Sequence, residues 1–151
     1  MVTLEIPEGF AYPDMYRIEW QPETPPAVNM AQVLESEWIR CRDKIAIRPG
    51  DRIAVGVGSR SIPDLAQIVT SVVARLRAAG ADPFILPAMG SHGGGTAQGQ
   101  TAVLAELGIV APVVGAPVLA TMEVVHLGEA EGISVYMNRL AHEADGLVLI
   151  N

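Results

Sequence analysis

The residues best placed to do chemistry are Arg60 and His92, each on a short loop-like stretch that follows an apolar run. Arg60 lies in Gly58-Ser59-Arg60-Ser61, after Ile53–Val57, and His92 lies in Gly90-Ser91-His92-Gly93-Gly94-Gly95, after Phe84–Pro87. An imidazole, with an ordinary pKa of about 6.5, takes or gives a proton near neutral pH. A guanidinium flanked by Ser59 and Ser61 at the start of a helix can grip a carboxylate or a phosphate. In open α/β sheets ligands bind in the crevice outside the carboxyl ends of the strands. Two such loops on neighbouring parallel strands would overhang one crevice. Each residue also has a plainer explanation. Arg60 could be a surface residue pairing with Asp64, and His92 could hydrogen-bond its own loop backbone.

The remaining chemically capable residues form no comparable pattern. Gly56-x-Gly58-x-x-Ser61 imitates the start of a dinucleotide fingerprint but lacks its third glycine. The acidic residue that would hold a ribose is replaced by Leu86-Pro87-Ala88 at the end of the next strand. His126 and His142 stand on separate elements, so the histidines lack the spacing of a metal site. Ser91 adjoins His92, but sequence neighbours on a loop rarely face each other and no G-x-S-x-G elbow is present. Cys41, the single cysteine, reads as a core residue and can form no disulfide within the chain.

The elements that must position these loops are legible in the periodicity. Residues 2–6 and 16–20 alternate as two short strands, predicting an N-terminal hairpin or meander. Pro22, Pro25 and Pro26 make residues 21–28 a stiff connector. Met30, Val33, Leu34, Trp38 and Cys41 have helical spacing. A turn at Pro49-Gly50-Asp51 then precedes a buried strand, Arg52–Val57, and a helix from Pro63 to about Ala79. Gly80 stops that helix, Pro83–Pro87 is the next strand, and a helix over about Ala97–Leu107 ends at Gly108. This order predicts a βαβα unit with parallel strands and a right-handed crossover. Beyond it, Val113-Val114, Glu123–Leu127 and Ile133–Met137 read as short strands, Arg139–Ala144 as a short helix, and Gly146–Ile150 as a last buried strand. The expected fold is α/β, a Rossmann-like, mostly parallel sheet flanked by helices with a small N-terminal β hairpin. Residues 1–47 carry the strands, connector and first helix, and residues 48–151 the α/β domain. The chain stops at Asn151 just as a core strand finishes, so a truncated domain, incomplete at its C-terminus, is expected.

Bulk properties narrow the function classes. The 151-residue chain is 50% hydrophobic, enough for an ordinary core, and carries a net charge of −7. That charge leaves no basic patch for a nucleic acid. No apolar run approaches the roughly 18–20 residues of a membrane span, and the N-terminus lacks a signal-peptide pattern. A cytoplasmic protein is expected.

With both loops in view, the chain resembles the N-terminal domain of the nickel-dependent, or nickel-pincer, lactate racemase family. The likeness rests on Ser59-Arg60-Ser61-Ile62-Pro63, on Gly90-Ser91-His92 about thirty residues later, and on the order strand, Asn138, short helix, Ala144-Asp145, strand near the end. It covers about residues 48–151. The family inverts the α-carbon of 2-hydroxy acids by hydride transfer to a nickel-pincer nucleotide. The resemblance implies that His92 is an acid/base catalyst and that Arg60, with Ser59 and Ser61, binds the substrate carboxylate. It implies that Gly93 and Gly94 face the cofactor. The family's cofactor-bearing lysine, nickel-ligating histidine and second acid/base histidine would lie beyond Asn151, and no lysine follows Lys44. The chain therefore reads as the N-terminal part of an isomerase acting on lactate or a larger hydroxy or sugar acid, with the remainder of the full-length chain as its partner. Three glycines follow His92 where the racemase has arginine-proline, a more open loop that suits the larger acid. The alternative is a non-catalytic module that binds an anionic carboxylate or phosphate metabolite. A third reading is a subunit that needs a partner to cover an apolar face.

Overall fold

The computed structural model describes residues 14, 16–23, 28–59 and 62–151. Among these, three parallel strands form one sheet in the order β2-β1-β5, and two antiparallel strands, β3 and β4, form a separate hairpin. The strands are β1 (Arg52–Val57), β2 (Asp82–Pro87), β3 (Val124–Ala130), β4 (Ile133–Asn138) and β5 (Gly146–Ile150). The helices are α1 (Met30–Cys41), α2 (Leu65–Ala78), α3 (Ala97–Glu106), α4 (Ala111–Val114) and α5 (Arg139–His142). This is a mixed α/β protein with a parallel sheet flanked by helices, consistent with a Rossmann-like arrangement.

Strand alternation assigns the two faces of the sheet. Ile53, Val55, Val57 and Ile85 point to one face, where Leu65, Val69, Val73 and Leu76 of α2 cover them. Leu104 of α3 and Val114 of α4 complete that layer. These α2 positions recur at three- and four-residue spacing, so one helical face is apolar and buried. The opposite face is thinner. Ala54, Phe84 and Leu86 meet Ala141 of α5, with Met137, Leu140 and Leu119 at the margin. The register pairs Val57 with Pro87 on one side and with Ile150 on the other, so all three strands end at one edge.

Several expectations are corrected. Residues 16–20 form no strand, and Tyr16, Ile18 and Trp20 are exposed. The expected partner strand at 2–6 lies outside the described residues, as does 24–27 of the connector. The second helix begins at Leu65. Pro63 sits in the preceding turn because Asp64 adopts a left-handed φ of 55°, which a continuous helix cannot contain. Val113-Val114 belongs to α4, where Pro112 favours the first helical turn and the left-handed Gly115 closes it. The last strand is present but is not buried on both faces. β5 is paired only with β1, and Leu149 is 66% exposed. Among the described residues, no helix is long and apolar enough to cross a membrane.

Candidate functional site

Adjacent, parallel β1 and β2 bring their following loops together. The ends are knit by backbone bonds, with Ala88 N–H donating to the Val57 carbonyl (2.8 Å) and Gly58 N–H to the Ile150 carbonyl (2.8 Å). Just past these bonds, Ser59 Oγ lies 2.5 Å from His92 Nδ1, in a half-buried setting. A cavity of about 240 Å³ opens beside the pair, lined by Ser59, Ala88, Met89, His92 and Asn151. Each of the three strands thus contributes a residue from its carboxyl end. Asn151 enters because Gly58 has no side chain. A Cβ there would overlap the Asn151 amide oxygen.

The His92 loop is shaped by glycine. His92–Gly95 makes a single 3-10 turn interrupted by left-handed Gly93 (φ 62°) and Gly94 (φ 67°), a conformation that strains any residue with a Cβ. Gly93 has a second constraint. Its backbone packs directly on Gly99 in the first turn of α3, and a Cβ on either would overlap the other's main chain. The space around Gly94 is open. Thr96 caps α3 by accepting from Gly99 N–H (3.0 Å), and its hydroxyl donates to the Gly93 carbonyl (3.1 Å).

The structure therefore unites two of the expected site residues, Ser59 and His92, in one hydrogen-bonded pair. Arg60 and Ser61 lie outside the described residues. Ser91 is exposed. His126 is on the hairpin, its ring 5.1 Å from that of Tyr136, and His142 is exposed at the end of α5. Neither lines the cavity. Asp145, part of the resemblance, is structural and sits at the opposite sheet edge, where it accepts from the Arg52 N–H (2.8 Å). Asn138 caps α5 by accepting from Leu140 N–H and donates to the Thr121 carbonyl.

Two residues at or behind the site carried no motif. Asn151 joins through strand order alone. Gln100 of α3, buried at 6% exposure, donates to the Gly90 carbonyl (2.7 Å) in the His92 loop. Its sequence signal was an amide one helical turn before Leu104, on the face that points inward.

Among the described residues, no three His, Cys, Asp or Glu side chains cluster into a metal-binding group. Lys44, the only lysine in the sequence, closes a turn at Arg42–Lys44. It leads into Ile45–Ile47, which line a groove with Asp51, Asp145 and Gly146 at the amino edge of the sheet, the end opposite His92. Comparison with known family models, with curated proteins and with solved structures finds no match.

Proposed function

We propose that the crevice is the proton-handling half of a 2-hydroxy-acid racemase or epimerase, with His92 as the acid/base group. The single observation that carries this is the Ser59–His92 contact at the carboxyl edge of parallel strands. On this reading the Ser59 hydroxyl accepts from Nδ1–H, the tautomer in which Nε2 is the basic nitrogen. The same bond persists when Nε2 gains a proton, because imidazolium carries N–H on both nitrogens. His92 can then accept the substrate's hydroxyl proton at Nε2 and return it from the same atom without reorienting. Ser59 thus acts on the histidine in this reading, whereas the sequence suggested that it binds substrate. Arg60, the next residue in the chain, supplies the carboxylate clamp that fixes the acid's orientation. A cavity of about 240 Å³ suits a small acid and lies below the range usual for drug-sized ligands.

The redox group that the family resemblance implies is not assigned to these residues. This chain's share is proton transfer and carboxylate binding. The same observation favours one second reading, a module that binds an anionic metabolite without turnover.

Chiral chromatography of lactate, glycerate and malate, incubated with the protein purified from its source cell, separates the two. Inversion of one acid that falls about a hundredfold or more in His92→Ala supports the acid/base role. Inversion that survives His92→Ala removes it. Calorimetric binding of these acids without inversion of any of them leaves the binding module.

A further inference from the structure

We infer that Gln100 is a positioning residue for His92, holding the imidazole against Ser59 through the Gly90 carbonyl. Its catalytic consequence rests on the reading of His92 given above, whereas the positioning itself does not.

Gln100 is the one buried polar residue among the described residues, 6% exposed. It shares the buried face of the helix with Leu104, four residues on, which packs in the layer over the sheet. An apolar residue would fill such a place without burying a polar amide, so the amide calls for a specific partner. That partner is the Gly90 carbonyl, 2.7 Å from Nε2. Gly90 has a left-handed φ of 60°, and its position has room for a Cβ. The glycine there serves the turn of the backbone rather than a close approach.

The bond lies two residues before His92, and a second tether lies just after it. Thr96 Oγ1 donates to the Gly93 carbonyl, while Gly93 packs on the Gly99 backbone. His92 is thus bracketed, with both flanks fastened to the first turn of α3. Its own N–H donates to the Met89 carbonyl (3.3 Å). The bracketing matters because Gly90, Gly93, Gly94 and Gly95 make a chain with unusual backbone freedom. Free of tethers, this loop would offer Ser59 an imidazole in many poses. A hydrogen bond between side chains 33 residues apart in sequence needs both backbones fixed to a fraction of an ångström. Ser59 inherits that precision from β1, which is central in the sheet. His92 lies five residues past the end of β2 and takes its final placement from α3, through Gln100.

The test is NMR of the whole chain with ¹⁵N-labelled histidine, the His92 signals being assigned by their loss in His92→Gln. In Gln100→Met, which keeps length but removes the donor, the His92 Nδ1 and Nε2 shifts should move toward the averaged values of free imidazole. Amide exchange over residues 91–96 should accelerate about tenfold. Leu104→Ala, on the same helix but not bonded to the loop, is the control for general loosening. It should lower stability and leave both His92 signals in place. If Gln100→Met does not fold, Gln100→Leu is read by the same signals. Unchanged His92 shifts in a folded Gln100 variant, or an equal change in Leu104→Ala, overturn the inference. These readouts need no turnover, so a protein that inverts no hydroxy acid bears on the proposed function alone.

Discussion

Ser59 and His92 meet at 2.5 Å because Val57 pairs with Pro87, which aligns the ends of two strands whose loops then converge. The pair is a product of register. A shift of one residue between β1 and β2 would turn the strand faces over and misalign the loop exits. Ser59→Ala removes the Nδ1 partner without touching the core. On the proposed acid/base reading of His92, it should lower the rate of hydroxy-acid inversion about tenfold to a hundredfold, with the melting temperature almost unchanged. Ser59→Thr, which keeps the hydroxyl, should recover most of the rate. Chiral chromatography and a thermal melt on the three proteins check this. An undiminished rate in Ser59→Ala would mean that the contact does not orient the base.

Gly99→Ala reverses an ordinary rule. In an exposed helix interior alanine is favoured over glycine by about 1 kcal/mol. Here a Cβ would drive into the Gly93 main chain, which is held by the Thr96 hydroxyl. The substitution should destabilise the protein by about 1–3 kcal/mol, as overpacking does, measured by urea unfolding. A stabilised Gly99→Ala would show that the loop does not rest on α3.

What could be seen in the sequence follows from how local each determinant is. β1, β2 and α1 were legible because apolar period and flanking turn residues agree over the whole element, as at Ile53–Val57 with Gly50 before it. Val113-Val114 misled because β-branched residues suggest a strand, whereas Pro112 and Gly115 bracket a single helical turn. Gly146–Ile150 was placed correctly, but its exposure depends on strand order, which no run of five residues encodes. The same limit applies at the site. His92 and Ser59 stood out as polar residues on glycine-rich loops after strands. That the serine faces the histidine depends on the pairing of β1 with β2. Gln100 had no motif at all, since its role is set by what its helix packs against.

The covered edge of β2 gives a stability prediction. Ile85 is fully buried, and its backbone bonds the Pro117 carbonyl and the Leu119 N–H, so that 117–119 seals this side of the sheet. Ile85→Ala should therefore cost about 2–5 kcal/mol, seen as a lower urea midpoint. Leu149→Lys, on the exposed face of β5, should change stability by no more than about 0.5 kcal/mol. Equal effects from the two would contradict the burial assigned to them.

Arg60 is the sharpest handle on ligand class. A guanidinium clamps a carboxylate through two parallel hydrogen bonds, a geometry that an ammonium cannot reproduce. For an acid bound at the Ser59–His92 crevice, Arg60→Ala should weaken binding at least about tenfold, the order expected when a charged hydrogen bond is lost. Arg60→Lys keeps the charge but not the fork and should fall between the two. Binding should also weaken as salt rises, because ions screen the attraction between a guanidinium and a carboxylate. Calorimetry with lactate, malate and inorganic phosphate on the three proteins measures all of this. Equal loss for lactate and phosphate would point to a general anion site. Loss confined to the hydroxy acids would mean that the neighbouring His92 and Ser59 read the hydroxyl group, as proton transfer from it requires. Full-strength binding in Arg60→Ala would remove the clamp from the mechanism.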